Sequence, residues 1–365
     1  MLASTCLAAY YLQKILFDYI TYDIRTAVDL KTEEETIFPT ISFCTSNKEQ
    51  WHTSLDKMIM TCSFDRDEGC KNLSAIYFET FDDPFFGECY RFNSGKNGLL
   101  KSFIPGLNHG FILTLNVPFV KYFFLSIHNH TAYPLNLEDS AYRLSTGRNN
   151  FFEIVRTCRK KLNQPYNNCI KDTKTYNGNK KIIEYLENMF HISYRYRDCI
   201  TLCRIFYFIE NNNCGCNSSP LLYKKDCIFS QFADDDMNNE VKKCMHNFIK
   251  NQKKIDCSPY CPSRCETYQL LINTYNQEVN SLDQIPMAAR FENISDLRQH
   301  YIGIFVYYTD LEYTEIKQHP KSEPITLVSS IGGVLSLCIG ISLISLVEVI
   351  EILIEVFYAL IKKND

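Results

Sequence analysis

The sequence has no surplus of positive charge: 38 Lys and Arg stand against 42 Asp and Glu, a net charge of -4. Without a basic footprint, nucleic acid is excluded as a partner. Internal repeats and low-complexity tracts are absent, and 25 Phe with 24 Tyr are more apolar surface than a disordered chain leaves in water. Catalytic signatures are missing too. None of the 365 residues forms a Gly-x-Ser-x-Gly elbow, a phosphate-binding glycine loop or a His-Glu-x-x-His pair, which speaks against an enzyme.

What is there begins at the two ends. Ile325 to Val347 is an uncharged run of 23 residues, ~35 Å long as a helix against ~30 Å of bilayer hydrocarbon. It predicts a membrane-spanning helix over 325–348 and a tail over 349–365. Lys362 and Lys363 place that tail in the cytoplasm. At the other end Leu2 to Gln13 is uncharged, but Lys14 and Asp18 follow, so the segment is too short to span alone. It fits either a signal peptide, which would leave a single-span receptor or binding module, or the outer part of a first membrane helix over 1–22 that starts upstream. No basic segment precedes it and no small-x-small cleavage site follows, which favours the helix.

Between the ends, residues 23–324 hold 15 of the 17 cysteines, from Cys44 to Cys265. Four Asn-x-Ser/Thr sequons, at Asn72, Asn129, Asn217 and Asn293, lie in the same stretch and fit an exported, glycosylated surface. The spacing Cys199-x3-Cys203 and Cys257-x3-Cys261-x3-Cys265 suits either zinc or a disulfide ladder. Outside the cytosol thiols are oxidised, so disulfides are the expectation and no metal site is predicted. His128 and His130 flank the Asn129 sequon and read as a solvated strand end rather than a metal site. Strand patterns at Ile37 to Cys44, Gly110 to Val117, Tyr122 to His128 and Ile302 to Tyr308 alternate with helical ones at Ile182 to Phe190, Asp198 to Glu210 and Asn238 to Lys254. The middle is thus of mixed α+β class.

Five motifs in order resemble the degenerin/epithelial sodium channel family, which includes the acid-sensing and peptide-gated channels. They are Phe38-Pro39-Thr40-Ile41-Ser42-Phe43-Cys44; Cys89-Tyr90-Arg91-Phe92-Asn93-Ser94-Gly95; Pro165-Tyr166-Asn167-Asn168-Cys169; the Cys199 to Cys265 series; and Ile331-Gly332-Gly333 followed by Gly340-Ile341-Ser342. The resemblance implies a membrane protein with two transmembrane helices and a disulfide-rich α+β ectodomain. That ectodomain would comprise a palm β-sheet, a β-ball, a reduced finger and a helical thumb over about 170–265. It also implies the pairs Cys44–Cys89, Cys62–Cys70, Cys169–Cys265, Cys199–Cys261, Cys203–Cys257, Cys214–Cys244 and Cys216–Cys227, a scheme that does not include Cys158.

Taken as residues alone, Gly332, Gly333, Ser336, Gly340 and Ser342 suit ordinary close packing of membrane helices as well as carbonyls facing an axis. The resemblance makes Gly340, Ile341 and Ser342 a selectivity filter. Glu348, Glu351 and Glu355, at i, i+3 and i+7, share a helical face. In a symmetric oligomer each forms a ring that gathers cations, and the resemblance assigns Glu348 and Glu351 to the inner mouth. It makes Ser329 the position where gating requires a small residue, and sets Tyr22 on Tyr166 to couple thumb and gate. The function implied is a subunit of a trimeric, sodium-preferring, amiloride-sensitive channel of the plasma membrane. Its partners would be identical or related subunits, the lipid bilayer, and an extracellular peptide or matrix ligand. No cofactor is implied beyond the permeant Na⁺.

Overall fold

A computed structural model describes residues 2–45, 55–66, 77–83, 87–117, 123–132, 141–176, 180, 182–184, 194–212, 255–282, 285, 291–340 and 343–364. The chain divides into two units, one of residues 1–28, 160–169 and 316–365 and a larger one of residues 29–159 and 170–315.

The strands among the described residues are β1 (Ile24–Thr32), β2 (Thr36–Ile37), β3 (Thr40–Thr45), β4 (Ile59–Phe64), β5 (Phe78–Asp83), β6 (Gly87–Phe92), β7 (Lys101–Ser102), β8 (Phe111–Asn116), β9 (Phe123–His128), β10 (Tyr142–Leu144), β11 (Arg148–Lys160), β12 (Cys169–Ile170), β13 (Ser263–Arg264), β14 (Glu266–Glu278) and β15 (Tyr301–Pro320). One sheet runs β14-β11-β15-β8-β4, with β1 also on β15. A second runs β10-β9-β3-β6-β5, and β2-β7 and β12-β13 form two short pairs. The expected strand from Ile37 to Cys44 is divided at Phe38-Pro39 into β2 and β3, because proline has no N–H to give a ladder.

Alternation along β3, β8 and β9 sends one set of side chains inward. Phe43 stacks on Phe123 at 5.7 Å, and Phe92 lies 4.1 Å from Phe111 between ring centroids. Phe92 belongs to the five-stranded sheet and Phe111 to the six-stranded one, so the aromatic core joins the two. Asn93, which reads as a turn residue in Asn93-Ser94-Gly95, is fully buried with φ 56°. Its Nδ2 donates to Phe38 O (2.6 Å), its Oδ1 accepts from Leu100 N (2.9 Å), and its carbonyl accepts from Thr40 Oγ1 (2.7 Å). Asparagine tolerates this left-handed conformation, and every polar group that it buries here finds a partner.

The helices are α1 (Leu2–Ile20), α2 (Leu55–Met58), α3 (Tyr196–Asn212), α4 (Ile294–His300), α5 (Pro324–Ile339) and α6 (Leu343–Asn364). Cys199 and Cys203 of α3 are bonded to Cys261 and Cys257, and Ile182, Ile183, Tyr194 and Leu202 pack beside these bridges. Disulfides thus reinforce a small cluster. Residues 185–190 and 238–254, where helix is also expected, lie outside the described residues.

His128 is half-buried at the end of β9 rather than freely solvated. Its Nε2 lies 2.9 Å from Ser42 Oγ and its Nδ1 3.0 Å from Asn129 O. Burial of the ring, helped by the charges of Arg195 and Arg91 and opposed by the bond to Asn129, pushes its pKa down to about 4.

Candidate pore segment and coupling contacts

The uncharged run from Ile325 to Val347, which reads as one helix in the sequence, is divided in the structure. Pro324 opens α5 at a position that needs no intrahelical N–H donor. The helix ends at Gly340, which takes the left-handed conformation (φ 76°), its N–H donating to Ser336 O at 3.0 Å. A Cβ is tolerated poorly there, so glycine is the residue that permits the break. Ile341 and Ser342 lie outside the described residues, and helix resumes at Leu343. As a result no described helix is long and apolar enough to cross a membrane. Residues 349–364, expected as a tail, continue α6.

α5 packs against α1, where Ala8 is buried. Leu327, Ser330, Ile331, Val334, Leu335 and Cys338 of α5 are half-buried and recur with the helical period. Ser329, Gly333, Ser336 and Gly340 occupy the exposed side, and a Cβ added at Gly333 or Gly340 meets nothing within 4 Å. Beyond the break, Glu348, Glu351 and Glu355 are all exposed on α6.

Above α5 the chain holds a bracket of short contacts. The ring of Tyr22 meets that of Tyr166 at 5.4 Å, edge to face. Asp23 binds Lys321 twice, through Lys321 N to Asp23 O (2.9 Å) and Nζ to Oδ2 (2.9 Å). The hydrogen bond and charge of Asp23 hold the Lys321 ammonium above its ordinary pKa. Gln318 Oε1 accepts from Leu162 N (3.3 Å) and Asn167 Nδ2 (2.9 Å), fixing the loop that carries Tyr166. Of these residues the sequence points to Tyr22 and Tyr166. Asp23, Lys321, Asn167 and Gln318 carry no motif, since an isolated polar side chain on a strand end reads as solvated.

Cys44–Cys89, Cys199–Cys261 and Cys203–Cys257 are bonded in the structure, and Cys62, Cys169 and Cys265 are likewise disulfide-bonded. Cys70, Cys214, Cys216, Cys227 and Cys244 lie outside the described residues, as do Asn72 and Asn217. Cys158 is a buried thiol on β11 that shares a face with Ile154, its Sγ 4.0 Å from Glu266 Oε1. Asn129 is exposed beside β9, and Asn293 caps α4 by accepting from Asp296 N at 2.9 Å. No cluster of His, Cys, Asp and Glu able to hold a metal occurs among the described residues.

A family model described as "Amiloride-sensitive sodium channel" matches residues 48–352. The chain belongs to that family. The match to the amiloride-sensitive sodium channels takes in α5, Gly340, Glu348 and Glu351, and leaves Glu355 outside. The epithelial sodium channel gamma subunit of Neoceratodus forsteri is 24% identical over 322 residues, 82% of this chain and 46% of that protein. The alpha subunit of Xenopus laevis is 23% identical over 320 residues, 82% of this chain and 48% of its own length. The chain spans about half the length of the curated relatives that it matches. Among solved structures, a proton-activated chloride channel covers 96% of this chain and 95% of its own at 8% identity, with a TM-score of 0.39. That likeness is too loose to bear on fold or function. The family so described is one of ion channels and not of enzymes.

Proposed function

We propose that this chain is one subunit of a trimeric, sodium-preferring, amiloride-sensitive channel of the plasma membrane, through which ions pass passively. The observation that carries the reading is the break at Gly340. A helix interrupted within an uncharged run frees backbone groups, and such groups are tolerated at membrane depth only where they line water or are buried in protein. Here the break falls in Gly340-Ile341-Ser342, below an exposed row of Ser329, Gly333 and Ser336 and ahead of three exposed carboxylates. Around a threefold axis this order supplies small residues for close approach, oxygens to replace a hydration shell, and acidic rings at the inner mouth. In this reading α5 and α6 cross the bilayer together, α1 crosses beside them, and the cysteine-rich unit is extracellular. The packing of α1 on α5 supports a retained first helix over a cleaved signal peptide.

The relatives are alpha and gamma subunits of the epithelial sodium channel, which supports assembly with related subunits; copies of the same chain are the alternative. Ser329 is the gating position that must stay small. Tyr22 on Tyr166, Asp23 on Lys321 and Gln318 on its loop transmit extracellular movement to the two helices. The test is voltage clamp of cells expressing the full-length protein, alone and with family subunits. A Na⁺-carried current blocked by external amiloride and reduced by Glu348→Gln supports the reading. Surface expression without such current in any combination contradicts it.

A further inference from the structure

The larger unit holds a cavity of about 350 Å³, at the lower end of the ~300–1,000 Å³ that accommodates small organic ligands. Tyr268 and Tyr313 give it aromatic walls, and Glu33, Glu35 and Arg156 its charge. The terminal nitrogens of Arg156 are committed: Nη1 donates to Glu33 Oε2 and Thr36 Oγ1, and Nη2 to Leu311 O. The guanidinium also lies over the rings of Tyr308 and Tyr313, at 5.2 and 5.6 Å. Glu33 and Glu35 are ion-paired as well, Glu33 to Arg156 and Glu35 Oε1 to Lys101 Nζ, but at 39% and 47% side-chain exposure each carboxylate keeps acceptor capacity toward solvent. The cavity therefore offers ring faces and hydrogen-bond acceptors. Its complement is a molecule with apolar C–H faces and several O–H donors, which is the chemistry of a sugar.

Asn129 stands at the edge of this cavity. It begins the sequon Asn129-His130-Thr131, and both Thr131 N and Thr131 Oγ1 donate to its Oδ1, at 3.2 and 3.4 Å. The side-chain carbonyl is thus engaged, while Nδ2 is the atom that an N-linked sugar takes. Asn293, the other sequon within the described residues, instead uses its side chain to cap α4 and does not line the cavity.

We propose that Asn129 carries an N-linked glycan and that its first sugar seats in this cavity, its ring on Tyr268 and Tyr313 and its hydroxyls on Glu33 and Glu35. Attachment at the rim makes seating intramolecular, so modest contacts suffice to hold it. In the transfer itself, a bond forms between Nδ2 and the sugar C1 while the C1–O bond to a polyprenyl-pyrophosphate donor breaks. Nδ2 loses one proton, the pyrophosphate leaves with the electron pair, and nothing is oxidised or reduced. The proposal rests on the extracellular placement of the larger unit given above.

The experiment uses the full chain made in cells with a secretory pathway. Glycopeptide mass spectrometry reads each sequon, and a peptide-N-glycosidase is applied to native and to denatured protein. Expected are a sugar at Asn129 that disappears in Thr131→Ala and returns in Thr131→Ser, and native release several-fold slower than release after denaturation. Tyr268→Ala with Glu35→Gln should remove that protection at Asn129 and leave the release rate at other modified sequons unchanged. Tyr268 is 66% exposed and Glu35 is open, so neither change threatens the fold, and faster release at every sequon would identify a variant that had unfolded. In that event the wild-type comparison of native and denatured release decides alone. A bare Asn129 beside modified sequons elsewhere overturns the proposal and leaves the extracellular placement intact; unmodified sequons throughout count against both. A sugar at Asn129 released equally fast from native and denatured protein overturns the seat.

Discussion

The ring of Tyr22 meets the ring of Tyr166 edge to face at 5.4 Å, joining the turn after α1 to a loop held by Gln318. Such aromatic pairs contribute about 1 kcal/mol beyond simple burial, roughly a fivefold change in an equilibrium constant. Tyr22→Ala and Tyr166→Ala should each shift the balance of open and closed channels, and the double variant should fall short of their sum by that amount. Tyr22→Phe, which keeps the ring, should behave as wild type. Additive effects in single-channel open probability would show that the two rings are not coupled.

Asn93→Ala should be costly. The substitution leaves Phe38 O and Leu100 N without their partners in a fully buried site and puts alanine at φ 56°. A loss of about 3 kcal/mol is expected, from unsatisfied buried groups and backbone strain together. Thermal unfolding of the detergent-solubilised protein measures it; Asn93→Asp, which keeps the acceptor and loses the donor, should fall between.

His128 makes stability depend on pH. Its pKa is about 4 folded against 6.5 for the unperturbed group, so the unfolded chain takes up a proton first as pH falls. The contribution is fully present above about pH 6.5 and is lost between there and about 4, for a total of about 3 kcal/mol. His128→Gln should flatten the pH dependence of the melting temperature across that window. An unchanged slope would mean that the imidazole is solvated after all.

Ser329 lies on the exposed side of α5 in line with Gly333. If that side faces neighbouring subunits, Ser329→Phe wedges the helices apart, because close-packed small residues leave no room for a ring. A constitutive current is expected in two-electrode recording. Normal closure with full surface expression would place Ser329 away from the subunit contacts.

The positions of β8 and β9 were legible, because period-two alternation survives in them whatever surrounds them. The break within 325–348 was not legible for a physical reason: hydropathy reports what the bilayer accepts and is blind to a helix end at a single glycine. Gly340 stood out in the sequence as a filter residue and not as a helix end. Asn93 looked like a turn because asparagine takes the left-handed conformation equally well in an exposed turn and in a buried polar knot. Asp23, Lys321 and Gln318 were invisible because their partners lie far away in sequence, at separations of 298 residues for Asp23 and Lys321 and 151 for Gln318 and Asn167.

The most direct measurement is the reversal potential of the amiloride-blocked current in cells expressing the full-length protein, alone and with family subunits, as external Na⁺ is replaced by K⁺. A channel whose path runs through Gly340 and past Glu348 and Glu351 should reverse at markedly more negative potential in K⁺, and Gly340→Ala should reduce that shift. The same reversal potential in both solutions, or no current from protein that is present at the surface, would contradict the account.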